Sequence, residues 1–148
     1  MSLIVVKIGS NLLTTANRKL DLNNLRRLVH NLCDVLDQNH TVIVVTSGAI
    51  TCGAEALHIT PTHIPDRQAA AAVGQGLLMQ EYSRFFQQRG YPVGQILLTK
   101  DGLQSDVVLT NVKNTIQTLL EHQAIPIINE NDSIATDEIG VKFGDNDE

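Results

Sequence analysis

Lys7 is the only charged residue in the otherwise apolar stretch "LIVVKI", and a glycine and a serine follow that stretch at once. A cation near the end of a buried strand can be delivered to an anion, and the backbone N–H groups of Gly9 and Ser10 can approach a phosphate closely. A lysine that extends into solvent from an edge strand explains Lys7 as well. Neither the P-loop spacing nor the dinucleotide-binding glycine pattern is present, so this stretch alone leaves both interpretations open.

A second polar stretch, "TSGA", separates two apolar runs without an intervening loop. Ser47, Gly48 and Ala49 fall where a helix should begin, so their N–H groups lack partners within the helix and can bind an anion. Small side chains would let a ligand reach that backbone. Ser47 as an ordinary helix cap is the competing interpretation.

The stretch "INEND" places four polar residues, Asn129 to Asp132, directly after an apolar run. Such side chains can bind an ammonium group, an amide or a metal ion. A solvated loop or an Asx turn explains one or two of them better than all four. The later stretch "GDND" supplies two more carboxylates and an amide, which a polar tail would explain equally well.

Other residue types that often carry chemistry do not form a site in this sequence. The five histidines are scattered, and Cys33 and Cys52 have neither a CxxC nor a zinc-binding spacing, so we expect reduced core thiols. Ser47 lacks the G-x-S-x-G elbow of a hydrolase nucleophile. Gly74 and Gly76, in "AAVGQG", favour close helix packing over phosphate binding.

Strands and helices alternate along the chain, and this alternation must position the polar stretches. The hydrophobic pattern predicts strands at 3–8, 41–46, 91–99 and 124–129, helices at 22–36 (capped by Asp21), 48–57, 66–89 and 106–121, and a hairpin within 133–143. The first strand is expected to be covered on both faces. The long helix is expected to pack through Ala69, Ala72, Val73, Leu77, Met79 and Phe86.

This alternation predicts an α/β fold, a mainly parallel sheet with helices on both faces. In such folds ligands bind at the carboxyl ends of the strands, and the polar stretches follow the predicted strands directly. The sequence therefore predicts a small-molecule site at that edge of the sheet.

Composition limits the class of protein. The chain of 148 residues suffices for one domain with a core, and it is 43% hydrophobic and 18% charged. A net charge of −5 argues against a surface for nucleic acid or anionic lipid. The apolar runs are shorter than the roughly 18 residues of a membrane span, and no signal-peptide pattern follows Met1. We expect a cytoplasmic protein without membrane or nucleic-acid partners.

Taken together, "VVKIGSN", "VVTSGAI", "AAVGQG", "INENDSIAT" and "GDND" resemble the glutamate 5-kinase family of the amino acid kinase superfamily in order and approximate spacing. The resemblance runs from Leu3 to Asp147. It implies an α/β/α sandwich and the ATP-dependent phosphorylation, with Mg²⁺, of the γ-carboxylate of L-glutamate, the first step of proline synthesis. It further implies a homo-oligomer and L-proline as a feedback inhibitor.

The resemblance also implies roles at the phosphate end of the site. Lys7 would contact the ATP phosphates and the migrating phosphoryl group, supported by Gly9 and Ser10. Asp147 resembles the catalytic aspartate of the family. Since a carboxylate nucleophile is already ionised at neutral pH, Asp147 would organise the lysine and Mg²⁺ rather than accept a proton. No residue is assigned as a direct metal ligand.

At the substrate end, the resemblance implies that Ser47, Asp132 and Asn146 bind glutamate. Asp132 would face the substrate ammonium group, and Gly48 and Ala49 would line the same pocket with backbone.

One departure from the family is where the sequence stops. The resemblance implies an ATP-binding half and a C-terminal module after residue 148, so residues 1–148 are expected to be the N-terminal, glutamate-binding part of an amino acid kinase domain, inactive alone. Two alternatives stay open: a non-catalytic module that binds glutamate or proline, and a related acid kinase such as acetylglutamate kinase.

Overall fold

Four strands joined by helices make up the part of the chain, residues 1–135, that the computed structural model describes. The strands are β1 (Leu3–Ile8), β2 (Thr41–Thr46), β3 (Val93–Leu98) and β4 (Ile125–Glu130); the helices are α1 (Ser10–Leu13), α2 (Leu22–Asp37), α3 (Ala49–Leu57), α4 (Ile64–Gln87), α5 (Lys100–Leu103) and α6 (Asp106–Glu121). All strands pair in parallel, in the order β1-β2-β4-β3. The predicted α/β fold is confirmed.

The main core lies on the face of the sheet that α2 and α4 cover. Successive residues of a strand point to opposite faces, and the register puts Ile8, Val44 and Ile127 on this face. Val29 of α2 and Phe86 of α4 are fully buried in the same cluster. Each such side chain contributes roughly 1.5–3 kcal/mol on burial, so this face is the main source of stability.

The helix α6 covers the opposite face over β3 and β4. Leu119 packs on Gly94 of β3 so closely that an added methyl group would lie 2.7 Å from the leucine side chain, which explains why a glycine interrupts this strand. On β1, the same face leaves Leu3 60% and Val5 61% exposed. The expectation that β1 is covered on both faces is therefore wrong for the described part of the chain.

The long helix α4 begins two residues before its predicted start because Pro65 sits in its first turn, where a missing N–H is harmless. Its buried face also differs from the prediction. The residues that it buries are Ala70, Ala71, Gly74, Gln75, Leu78, Tyr82, Phe85 and Phe86, whereas Ala69, Ala72, Val73 and Leu77 are exposed and Met79 is half-buried. From Ala69 to Met79 nearly every residue of α4 is apolar, so periodicity does not single out one face. Contact with α3 instead determines which face of the helix is buried.

The remaining predictions vary in outcome. Asp21 caps α2 as expected, its carboxylate accepting from the Asn24 N–H at 3.0 Å. The four-residue helices α1 and α5 were not predicted. The hairpin expected within 133–143 lies almost wholly outside the described residues. Within residues 1–135, no helix combines the length and apolarity that a membrane span requires.

Candidate functional site

The polar stretches of the sequence meet at the carboxyl edge of the sheet. Gly9 and Ser10 follow β1, Ser47 and Gly48 follow β2, and Asn131 follows β4. Because β1, β2 and β4 are neighbours in the sheet, these three chain segments lie side by side. The sequence prediction of one site at this edge therefore has a structural basis.

Ser47 ties the ends of β1 and β2 together. Its side chain is buried, and its hydroxyl donates a hydrogen bond of 3.0 Å to the carbonyl oxygen of Ile8. The residue that caps α3 is instead Gly48, without any side-chain hydrogen bond. The interpretation of Ser47 as a helix cap is therefore wrong. With its proton engaged, the Ser47 oxygen retains the capacity to accept a hydrogen bond.

The start of α3 depends on Gly48. Its φ of 94° lies in the left-handed region, which residues with a side chain adopt only at a cost. This conformation lets the chain pass from β2 into α3 without a loop. The first N–H groups of α3, beginning at buried Ala49, have no acceptor within the helix and carry the positive end of its dipole.

Two glycines bring α3 and α4 into backbone contact. A methyl group on Gly53 would lie 1.7 Å from the Ala70 carbonyl oxygen, and one on Gly74 would lie 1.7 Å from that of Ala49. The packing prediction is thus confirmed for Gly74. It is wrong for Gly76, which is exposed and has no neighbouring atom within 4 Å of an added methyl group.

The loop after β4 is held in a compact turn. The Asn131 N–H donates to the Leu98 carbonyl at 2.7 Å, and the Asn131 carbonyl accepts from the Ala135 N–H at 3.0 Å. The Asn131 side chain accepts from the Ser133 hydroxyl at 2.5 Å. Asp132, inside this turn, is only 7% exposed. The turn therefore fixes where a buried carboxylate sits.

A small cavity joins the α3 start to this turn. Its volume is about 30 Å³, room for one or two water molecules. The lining residues are Ala49, Ala71, Ala72, Gln75, Glu130, Asn131, Asp132 and Ser133. Ala49 and Asp132 thus face one space, with the positive end of a helix dipole on one side and a carboxylate on the other. Such a pair of poles suits a zwitterion, the form of a free amino acid.

A larger, open hollow of about 350 Å³ runs along α6. Its lining residues are Asn114, Thr115, Thr118, Leu119 and His122. It lies along the second half of α6, near the start of β3, and the described residues that line it include no carboxylate and no strand end. Its chemistry therefore gives it a weaker claim as a binding site than the small cavity.

Buried hydrogen bonds support the site from below. The Thr46 hydroxyl lies 2.8 Å from the Tyr82 hydroxyl, and burial raises the pKa of Tyr82 to about 12, so this phenol stays protonated. Gln75 bonds to Asn129 at 2.8 Å and to Gln95 at 3.0 Å. The sequence analysis missed Gln75. No sequence signal singles it out, because its buried neighbours Ala71 and Leu78 were not on the predicted packing face of α4.

The structure brings together, at one edge, most of the residues assigned from the sequence: Gly9, Ser10, Ser47, Gly48, Ala49 and Asp132. Lys7 is the second-to-last residue of β1 and is exposed. Because side chains alternate along a strand, it points to the face of the sheet opposite Ile8. Asn146 and Asp147 lie outside the described residues. Among residues 1–135, no group of three or more His, Cys, Asp or Glu side chains is placed to hold a metal ion.

Known proteins resemble this chain over nearly its whole length. The sequence is 47% identical over 146 residues to a glutamate 5-kinase of Clostridium tetani, 45% over 146 residues to one of Clostridium acetobutylicum, and 42% over 149 residues to glutamate 5-kinase 2 of Bacillus subtilis. These alignments cover 97%, 97% and 99% of this chain but 54%, 54% and 40% of the relatives. The chain thus spans about half the length of the curated relatives it matches.

The family assignment follows from sequence and fold together. The sequence model of the amino acid kinase family matches residues 2–148. The parallel sheet, with helices on both faces and its polar residues at the carboxyl edge, is the architecture that this family resemblance implied. The chain belongs to the amino acid kinase family.

Proposed function

We propose that this chain carries the L-glutamate site of a glutamate 5-kinase, which transfers the γ-phosphoryl group of ATP to the γ-carboxylate of glutamate. The observation that carries the proposal is the small cavity on which the start of α3 and Asp132 converge. The names of the relatives from both Clostridium species support the choice of glutamate.

Each pole of the cavity suits one group of the amino acid. Asp132 would bind the substrate ammonium group, and the nearby Ser47 oxygen, whose proton is engaged with Ile8, would accept a second hydrogen bond from it. A substrate carboxylate would bind at the N–H groups of Gly48 and Ala49. Asn146 would complete the substrate contacts. The cavity has room for only one or two water molecules, so the rest of the amino acid would extend beyond it.

The chemistry asks for positioning and cations rather than a base. The γ-carboxylate of glutamate, which accepts the phosphoryl group, has a pKa of about 4 and is already ionised at neutral pH. Two unit charges about 4 Å apart repel by roughly 4 kcal/mol at an effective dielectric of 20, nearly three powers of ten in rate. Lys7 would offset that repulsion at the phosphates, with backbone support from Gly9 and Ser10.

ATP brings Mg²⁺ on its phosphates, and the metal supplies further positive charge when bound. Asp147 would hold Lys7 and the metal in register without accepting a proton. The proposal includes assembly as a homo-oligomer and feedback inhibition by L-proline, which the family resemblance implies, and the cytoplasmic location that the composition predicts.

Calorimetric titration of the chain with L-glutamate tests the binding half of the proposal. The Asp132→Asn variant keeps the shape of the side chain but removes the charge, so glutamate should bind it about tenfold or more weakly. Glu121→Gln is the matched control, since Glu121 is exposed at the end of α6, close to the amino end of β4 and so away from the carboxyl edge. Equal binding by wild type and Asp132→Asn, or no binding by wild type, would contradict the proposed site.

Hydroxylamine trapping of glutamyl phosphate, with Mg-ATP present, tests the chemical half. Product from the chain alone would show that it holds a working nucleotide site. Glutamate binding without product, followed by product when the remaining half of a relative is added, would identify the chain as the substrate-binding part. Preference for N-acetylglutamate over free glutamate would instead favour the acetylglutamate kinase alternative.

A further inference from the structure

A chain of three side-chain amides crosses the core beneath the candidate site. The Asn129 amide nitrogen donates to the Gln75 carbonyl oxygen at 2.8 Å, and the Gln75 amide nitrogen donates to the Gln95 carbonyl oxygen at 3.0 Å. Asn129 is 4% exposed and Gln75 is 9% exposed. The amide chain therefore links α4 to the end of β4 through two buried groups, and it reaches β3 at Gln95, which is exposed.

Backbone chemistry fixes the direction of this chain. The side-chain carbonyl oxygen of Asn129 accepts a hydrogen bond from the backbone N–H of Glu130 at 2.9 Å, and a backbone N–H can only donate. Asn129 must therefore present its nitrogen to Gln75, which must accept with its oxygen and donate with its nitrogen. Among side chains of this length only an amide does both, so a carboxylate, an ammonium or an apolar group at position 75 breaks one or both bonds.

Gln75 is also placed beside the small cavity. Its side chain lines that cavity together with Asp132 and Ala49. Its neighbour in the chain, Gly74, lies against the Ala49 carbonyl of α3. Two consecutive residues of α4 thus hold the two walls, Gly74 the start of α3 and Gln75 the end of β4.

We propose that Gln75 is a positioning residue: through Asn129 it fixes the turn after β4, and so sets the distance from Asp132 to the start of α3. This inference rests on the proposed function, because it assigns Asp132 to the substrate ammonium group. Gln75 acts through Asn129 and does not itself take part in phosphoryl transfer.

Amide hydrogen exchange tests the structural step without any ligand. Gln75→Met preserves length and helix propensity but removes both hydrogen bonds. The protected N–H groups of Asn131 and Ala135 should then exchange about tenfold faster than in wild type. Gln95→Met, which removes only the outer bond, should produce a smaller increase.

Phe86→Leu is the control for general loss of stability. Phe86 is fully buried in the same helix but lies about 16 Å along it from Gln75, so this variant should lower the melting temperature while exchange at Asn131 and Ala135 stays at the wild-type rate under native conditions. If Gln75→Met also leaves exchange at these two groups unchanged, Gln75 does not position the turn and the inference is overturned.

Glutamate titration tests the consequence for binding. Well below the melting temperature, Gln75→Met should raise the dissociation constant by about tenfold, whereas Phe86→Leu should leave it unchanged. Faster exchange with unaltered binding would overturn the link from Gln75 to Asp132. If wild type binds no glutamate, the proposed function fails, and the exchange experiment still decides whether Gln75 positions the turn.

Discussion

The two edges of the sheet are organised by different kinds of interaction. At the carboxyl edge, the hydrogen bonds of Gln75 with Asn129 and of Thr46 with Tyr82 join uncharged groups in the core. At the amino edge, Arg89 pairs with Asp34 at 3.0 Å and also with Asp37, on side chains that are 32%, 62% and 49% exposed. One edge relies on buried neutral bonds and the other on solvated charges.

This difference shows how a fold can prepare a site for a charged ligand. Surface ion pairs are weak and are screened by salt, so those at the amino edge fix geometry only loosely. Buried neutral hydrogen bonds keep their geometry across salt and pH, because leaving either partner unsatisfied costs the desolvation of that group. The candidate site is thus supported by groups that would not compete with the charges of a bound ligand.

The largest expected effect comes from Gly74→Ala, which attacks the carboxyl edge directly. The added methyl group meets the Ala49 carbonyl, and neither helix backbone can move without losing contacts. We expect the free energy of unfolding to fall by about 3 kcal/mol or more, measured by urea denaturation, and glutamate binding to weaken.

Gly76→Ala provides the matched control, since the same change two residues along meets open space. This variant should raise the free energy of unfolding, by up to about 1 kcal/mol, because alanine favours a helix more than glycine does. Equal destabilisation by both substitutions would show that α3 and α4 are not in backbone contact.

A pair of tyrosine variants compares the two edges through effects on the free energy of unfolding that are expected to be of intermediate size. Tyr82→Phe removes the buried 2.8 Å hydrogen bond to the Thr46 hydroxyl, which keeps its 3.2 Å bond to the Ser47 carbonyl, and should cost about 1 kcal/mol of unfolding free energy, independent of salt. Tyr91→Phe removes the 2.6 Å hydrogen bond to the exposed Asp37 carboxylate and should cost less, with an effect that shrinks at high salt. Matching salt dependence of the two costs would remove the distinction between the edges.

The smallest effect should appear in acid, at the amino edge. Hydrogen bonds from Tyr91 and then Arg89 hold the pKa of Asp37 below its usual value. A carboxyl group with a lowered pKa stabilises the fold above about pH 4, and this stabilisation is lost as the pH falls through the folded-state pKa. Melting temperatures of Asp37→Asn should therefore depend less on pH in this range than those of wild type. Parallel curves for the two proteins would refute this role of Asp37, and Glu121→Gln serves as the reference.

Much of the fold follows from local pattern. The bounds of β1, β2 and α6 match the prediction because the strands are short continuous apolar runs and the helix has a clear helical hydrophobic pattern. The prediction of the buried face of α4 was wrong because alanines and glycines occur on several sides of that helix. The close contact through Gly74 depends on the tertiary packing of α3, which the periodicity of α4 does not encode. The helices α1 and α5 are too short for any period to appear.

The candidate site was less predictable than the fold. Residues at strand ends, such as Ser47 and Asp132, could be singled out because parallel sheets collect them at one edge. Gln75 could not, since a glutamine inside a helix becomes significant only once Asn129 is known to lie beside it. The assigned roles of Asn146 and Asp147 stay predictions.

The two cysteines are free and buried, one near the carboxyl edge and one near the amino edge of the sheet, and burial limits how fast each thiol can react. Burial raises the pKa of the Cys33 thiol, in α2, to about 11 and also raises that of Cys52, in α3. Since only an accessible thiolate is alkylated, each sulfur reacts in proportion to how often its own helix opens. Alkylation of Cys52 therefore reports the opening of α3 beside the cavity, and alkylation of Cys33 reports the opening of α2 beneath the ion pairs.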